Sequence, residues 1–153
     1  MIRLLAISSI IFLVFQCGGK KAAKEFSFKD KVASSQSKTA TIVDLENKGV
    51  GPVLNLELTD LDSVMVSQGK SLFDEKCTAC HKIGSTYIGP SPTGVLQRRS
   101  PEWVMNMILN PDEMLKKDPL AKALFMEFNG QLMTNQHLDE NEARAILEYF
   151  RTL

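Results

Sequence analysis

The residues with the clearest chemistry lie in one pentapeptide, Cys77-Thr78-Ala79-Cys80-His81. Two thiols three positions apart sit on one turn of backbone, where each can add to a vinyl group of a haem, and the adjacent imidazole can reach the iron. Two other chemistries use the same residue types. A redox-active disulfide needs its Cys-x-x-Cys at the start of a helix in a strand–helix–strand setting, whereas here the pair closes a helical stretch and no strands are apparent beside it. A zinc site needs four N or S ligands, and outside the pentapeptide the chain offers only His137 and Cys17. These residues favour one covalent haem c, bound through Cys77 and Cys80, with His81 on the iron.

Helices must position that motif. Residues 63–76 read as a helix with Val64, Leu72 and Phe73 on its apolar side and Met65 and Val66 near its start. Gly69, Phe73 and Cys77 recur every four residues, so a small residue, an aromatic ring and the first thiol share one face. A last helix opens at Asp139, an N-cap with Glu142 three residues on, and carries Ala143, Ile146, Leu147 and Phe150 at helical spacing, with Tyr149 three after Ile146. The missing side chain at Gly69 would let these two helices cross closely. Residues 101–110 form a further helix with Ser100 as cap and Pro101 in its first position, and Asp118-Pro119 begins another. The fold class expected is all-α.

With these residues in view, residues 60–153 resemble the class I c-type cytochromes. The resemblance implies several short helices packed around one covalently attached haem, the N- and C-terminal helices crossing through Gly69, Phe73, Ile146 and Tyr149. Ile88-Gly89-Pro90-Ser91-Pro92-Thr93-Gly94-Val95 is similar to the family's Gly-Pro-x-x-x-Gly segment. There the proline carbonyl accepts a hydrogen bond from the second nitrogen of the ligand histidine, so Pro90 would set the orientation and basicity of His81; simple stiffening of a turn by Pro90 and Pro92 is the other reading.

The sixth iron ligand decides between carrying electrons and handling small molecules. Of seven methionines, Met65, Met105, Met107, Met114 and Met126 fall in helical segments and Met1 goes with a leader. Met133 follows the turn Asn129-Gly130, lies 52 residues after His81 and stands just before the last helix, where the family places its ligand loop. The family's proline after this methionine is replaced by Thr134. His137 is the alternative ligand. Arg98 and Arg99 can pair with haem propionates through their guanidinium forks or stand as an exposed basic pair, and Trp103 can donate its indole N–H to a propionate or fill the core.

Thioether and imidazole together raise the potential and fill both axial positions, which favours electron transfer without bond chemistry, so no enzyme activity is expected. No acid–base constellation argues otherwise. The rival readings are a haem sensor or small peroxidase with an open or displaceable sixth position, and a thiol oxidoreductase without haem.

Composition bounds the setting. Across 153 residues, 18 basic side chains balance 18 acidic ones, which provides no basic field for nucleic acid. No apolar stretch reaches the ~18–20 residues of a membrane-spanning helix. Residues 1–59 hold 8 basic against 5 acidic residues, and residues 60–153 hold 10 against 13. Arg3 and the apolar run at residues 4–15 read as a secretory signal. Val14-Phe15-Gln16-Cys17 resembles the cleavage box of bacterial lipoproteins, although Phe15 and Gln16 are larger than that pattern prefers. The expected organisation is a signal at residues 1–16, an acylated Cys17 as lipid anchor, a tether over residues 17–59 with a reach of about 35 Å, and a haem domain at residues 60–153. Within the tether, residues 53–58 alternate like a short strand lying on the domain. Residues 100–124 are similar to lipoprotein cytochromes c associated with nitrous oxide reductase and related respiratory reductases. That implies a respiratory donor and a terminal reductase or oxidase as partners; the signal and Cys17 place the chain on the periplasmic side, and a monomer is expected.

Overall fold

The computed structural model describes residues 40–153; the expected signal, Cys17 and the first part of the tether lie outside them. Among the described residues the chain forms five α-helices and one 3-10 turn, Val95–Gln97, with no strand and no helix long and apolar enough to cross a membrane. Helix α1 (Ser63–Lys76) begins where the Asp62 carboxylate accepts from the N–H groups of Val64 and Met65, at 2.8 and 3.1 Å, satisfying two of the donors a helix start leaves open. Helices α2 (Pro101–Leu109), α3 (Pro111–Lys117) and α4 (Pro119–Glu127) each start on a proline, whose missing N–H costs nothing there. Ser100 caps α2 through Trp103 N–H, and Asp118 caps α4 through Ala121 N–H. Helix α5 (Glu140–Phe150) carries the full capping box, with Asp139 on Glu142 N–H and Glu142 back on Asp139 N–H.

Helices α1 and α5 cross at Gly69. A Cβ there would lie 1.9 Å from the carbonyl oxygen of Ala145. One turn on, Phe73 packs on both Tyr149 and Phe150, with ring centroids 5.7 Å apart in each pair. Below the crossing, Met105, Met114, Ile146 and Leu147 are fully buried and join α2, α3 and α5 in one core.

The packed unit does not begin at residue 60. Residues 40–59, expected as the end of a tether, are laid across the helices as a strap. Asn106 of α2, 1% exposed, donates through Nδ2 to Lys48 O and Val53 O and accepts from Val53 N–H. Glu102 accepts from Leu56 N–H and from Lys48 Nζ. Ser100 Oγ donates to Asn47 O at 2.6 Å, and Val53 is buried in the core. Farther along, Arg144 and Arg151 share the buried carboxylate of Glu148 and reach Glu57 O and Thr59 O. Residues 53–58 lie on the domain as anticipated but form no β-bridge. Side chains from distant helices, not a sheet partner, bond much of the strap's backbone, an arrangement invisible to local pattern.

Candidate functional site

Cys77 is the C-cap of α1, its N–H still donating to Phe73 O. The chain then turns tightly, with Cys80 N–H and His81 N–H both donating to Cys77 O at 3.0 and 2.9 Å. Gly89 N–H donates back to Cys80 O at 2.8 Å, which closes residues 81–88 into a loop and returns the chain to the histidine. Pro90 O lies 2.7 Å from His81 Nδ1. A carbonyl can only accept, so Nδ1 carries the proton and Nε2 is left with a lone pair, the form a metal needs.

Two further features hold that geometry. Arg98 donates from Nη1 to Thr93 O and Gly94 O and from Nη2 to Ser91 O, pinning the loop just after Pro90. Gly89 lies flat against the imidazole: a Cβ on it would meet His81 Cε1 at 2.6 Å and Nδ1 at 3.0 Å. In the sequence Gly89 stands only as part of the Gly-Pro-x-x-x-Gly segment, and nothing in its neighbours shows that it faces the ring. Gly89→Ala is expected to push the imidazole off its hydrogen bond, an overpacking cost of about 1–3 kcal/mol. In an acid titration of the haem-loaded protein's visible spectrum, loss of histidine ligation should then occur at a higher pH than in the wild type. An unchanged titration would contradict this packing.

One cavity takes in Cys77, Cys80, His81, Pro90 and Met133, with walls that include Ile108, Leu124, Phe125, Phe128, Ile146 and Phe150. These residues fit a flat, apolar macrocycle with two vinyl groups: two half-buried thiols for attachment, an oriented imidazole and an apolar enclosure. Met133 is half-buried and packs against the core. His137 is exposed and does not line the cavity; its backbone is at φ +55°, with its N–H donating to Asn135 Oδ1. The structure adds a thioether that sequence reasoning set aside, since Met107 on α2 also borders the cavity.

Arg98, Arg99 and Trp103 all line the cavity, but their polar groups have partners in the protein. Besides Arg98's grip on the loop, Arg99, 2% exposed, donates to Ile42 O and Arg98 O, and its guanidinium lies 5.4 Å from the Trp103 ring centroid. Burial, with Arg98 beside it, lowers the Arg99 pKa. The single indole N–H of Trp103 goes to Asp118 Oδ1 at 3.2 Å, so Trp103 sits as a core residue with its polar edge satisfied. Neither basic residue is an exposed arginine.

The Cys77 thiol does not suit redox cycling. Burial, with Cys80 close by, pushes the free Cys77 thiol up to about 11, whereas thiol oxidoreductases depend on a depressed value. Among the described residues no three His, Cys, Asp or Glu side chains converge as a metal-binding group, so the zinc reading finds no donor set there.

A family model described as Cytochrome c matches residues 66–153. Among solved structures, a cytochrome c from Rhodothermus marinus is 39% identical and superposes with a TM-score of 0.65, over 77% of this chain and 95% of that one. An engineered form of that protein, described as bound to a carbene intermediate, is 37% identical with a TM-score of 0.62, over 77% and 96% of the two chains. A cytochrome c domain from Pseudomonas putida is 33% identical with a TM-score of 0.50, over 55% and 85%. No curated protein matches the chain.

Proposed function

The chain belongs to the cytochrome c family and binds haem c covalently through Cys77 and Cys80; on that premise we propose that it is a membrane-tethered, single-haem electron carrier with His81 and Met133 on the iron. The observation that supports this ligand pair is the shared cavity: Met133 borders it together with His81 and both thiols, and His137 does not. Haem bound there exchanges one electron at its iron. The protein's own residues do the rest. His81 is held at Nδ1 by Pro90 O, the apolar walls exclude water, and the rigid crossing of α1 and α5 limits motion on a change of charge.

Residues 1–17 support export and acylation of Cys17, which would hold the domain at a membrane on the periplasmic side. Its partners are then exported or membrane respiratory enzymes, with a nitrous oxide reductase among the acceptors to try first.

A second reading, a haem site whose sixth position opens, draws on one observation. Among the described residues, the hydrogen bonds of residues 132–138 run only among residues 131–137, so the Met133 loop is held to the helices by packing. The engineered relative described as bound to a carbene intermediate points the same way. Optical spectra of the haem-loaded protein, oxidised and reduced, separate the two. The electron-carrier reading expects the weak far-red sulfur-to-iron band and no carbon monoxide uptake by the native reduced protein. Covalent haem without that band, and with carbon monoxide bound, would overturn it in favour of the open site.

A further inference from the structure

Residues 40–47 lie over one particular part of the cavity wall, the side that holds Arg99. Asp44 N–H donates to Arg98 O at 2.9 Å and Asp44 pairs with Arg99 in a parallel bridge. Ile42 O takes a bond from the Arg99 guanidinium. Asn47 is tied twice, its carbonyl to Ser100 Oγ at 2.6 Å and its Nδ2 to Asp118 Oδ2 at 2.7 Å. Asp118 in turn holds the indole N–H of Trp103, on whose ring the guanidinium rests. Arg99 thus stays 2% exposed while bordering the cavity.

We propose that the strap is a solvent-excluding cover that keeps the Arg99 cation dry in the haem cavity wall and thereby holds the iron's potential up. The inference rests on the haem reading above. A fixed positive charge opposes the gain of positive charge when ferrous iron becomes ferric, and it does so more strongly where water cannot screen it. Asp44, Asp118 and Glu127 face the same guanidinium electrostatically and temper its field. They do not change the sign of the effect of removing it. The strap therefore has a redox role beyond adding contacts: it raises the effective strength of a charge that belongs to another segment.

The test is a set of midpoint potentials on the haem-loaded full chain at low and high salt. Arg99→Gln removes the charge at similar length and should shift the ferric-to-ferrous ratio at fixed potential at least about threefold toward ferric. The shift should be the same at both salt concentrations, as for a buried charge. Asn47→Ala, neutral in charge, loosens the cover without touching Arg99. It should speed exchange of the Asp44 amide, lower the potential and make it newly dependent on salt. An unmoved potential in Arg99→Gln, or a shift that salt erases, would overturn the proposal. If Arg99→Gln does not fold, Asn47→Ala decides, and an unchanged potential and salt response alongside faster Asp44 exchange would overturn it. Failure of the haem reading would appear earlier and separately, as absence of covalent haem absorption in the wild type.

Discussion

Met133→Ala is expected to remove the far-red sulfur-to-iron band, open the sixth position to carbon monoxide and lower the potential by an amount on the order of 0.1 V, within the ~0.8 V range that axial ligands span. The thioether favours ferrous iron, so its loss lets the ferric form gain. The neighbouring residues offer no ready substitute. His137 is exposed with its backbone fixed by Asn135, and Gln136 and Thr134, which also border the cavity, present amide and hydroxyl groups that bind iron weakly. Met107 is the residue to control for, because it is the other half-buried methionine on the cavity. Met107→Leu should keep the band. A spectrum unchanged in Met133→Ala and altered in Met107→Leu would transfer the ligand role to α2.

Gly69→Ala tests the fold that presents the site. Its added methyl carbon would stand 1.9 Å from Ala145 O and 2.4 Å from Ala145 C, main-chain atoms in the middle of α5 that no rotamer change can move. The helices must separate, and Phe73 must leave Tyr149 and Phe150. Overpacking of this kind typically costs about 1–3 kcal/mol and occasionally more. Helix propensity returns roughly 1 kcal/mol of that on replacing glycine by alanine. A cost near the upper end is expected because the clash is with backbone and not with a side-chain tip, which leaves a net loss of about 2 kcal/mol. Denaturant unfolding followed by helical circular dichroism measures it. Because the carbonyl and not the Ala145 methyl is struck, Ala145→Gly should fail to rescue the variant; rescue, or a loss of only a few tenths of a kcal/mol, would show that α1 and α5 do not meet as described. The consequence reaches the site, since Cys77 caps the helix that Gly69 seats.

What could be read along the chain was local. The pentapeptide at residues 77–81 is a covalent and coordinative signal that needs no partner to be recognised, and the fold class followed from caps and periodicity within single helices. Ser100, Asp118 and Asp139 each cap a helix through a donor three residues away, which is why the starts of α2, α4 and α5 were legible. The missing side chain at Gly69, one turn before Phe73, likewise pointed to a close crossing of the first and last helices. Tertiary structure decided what depends on residues far apart. It turned residues 40–59 from a tether into a strap, because the groups that fasten it, Asn106, Glu102 and Ser100, sit about fifty positions downstream. It turned Arg98 onto the Pro90 loop, buried Arg99 under Ile42 and gave the Trp103 indole to Asp118. A hydrogen bond to a distant carbonyl leaves no period in the sequence, so the type of a side chain could be read there but not what it holds.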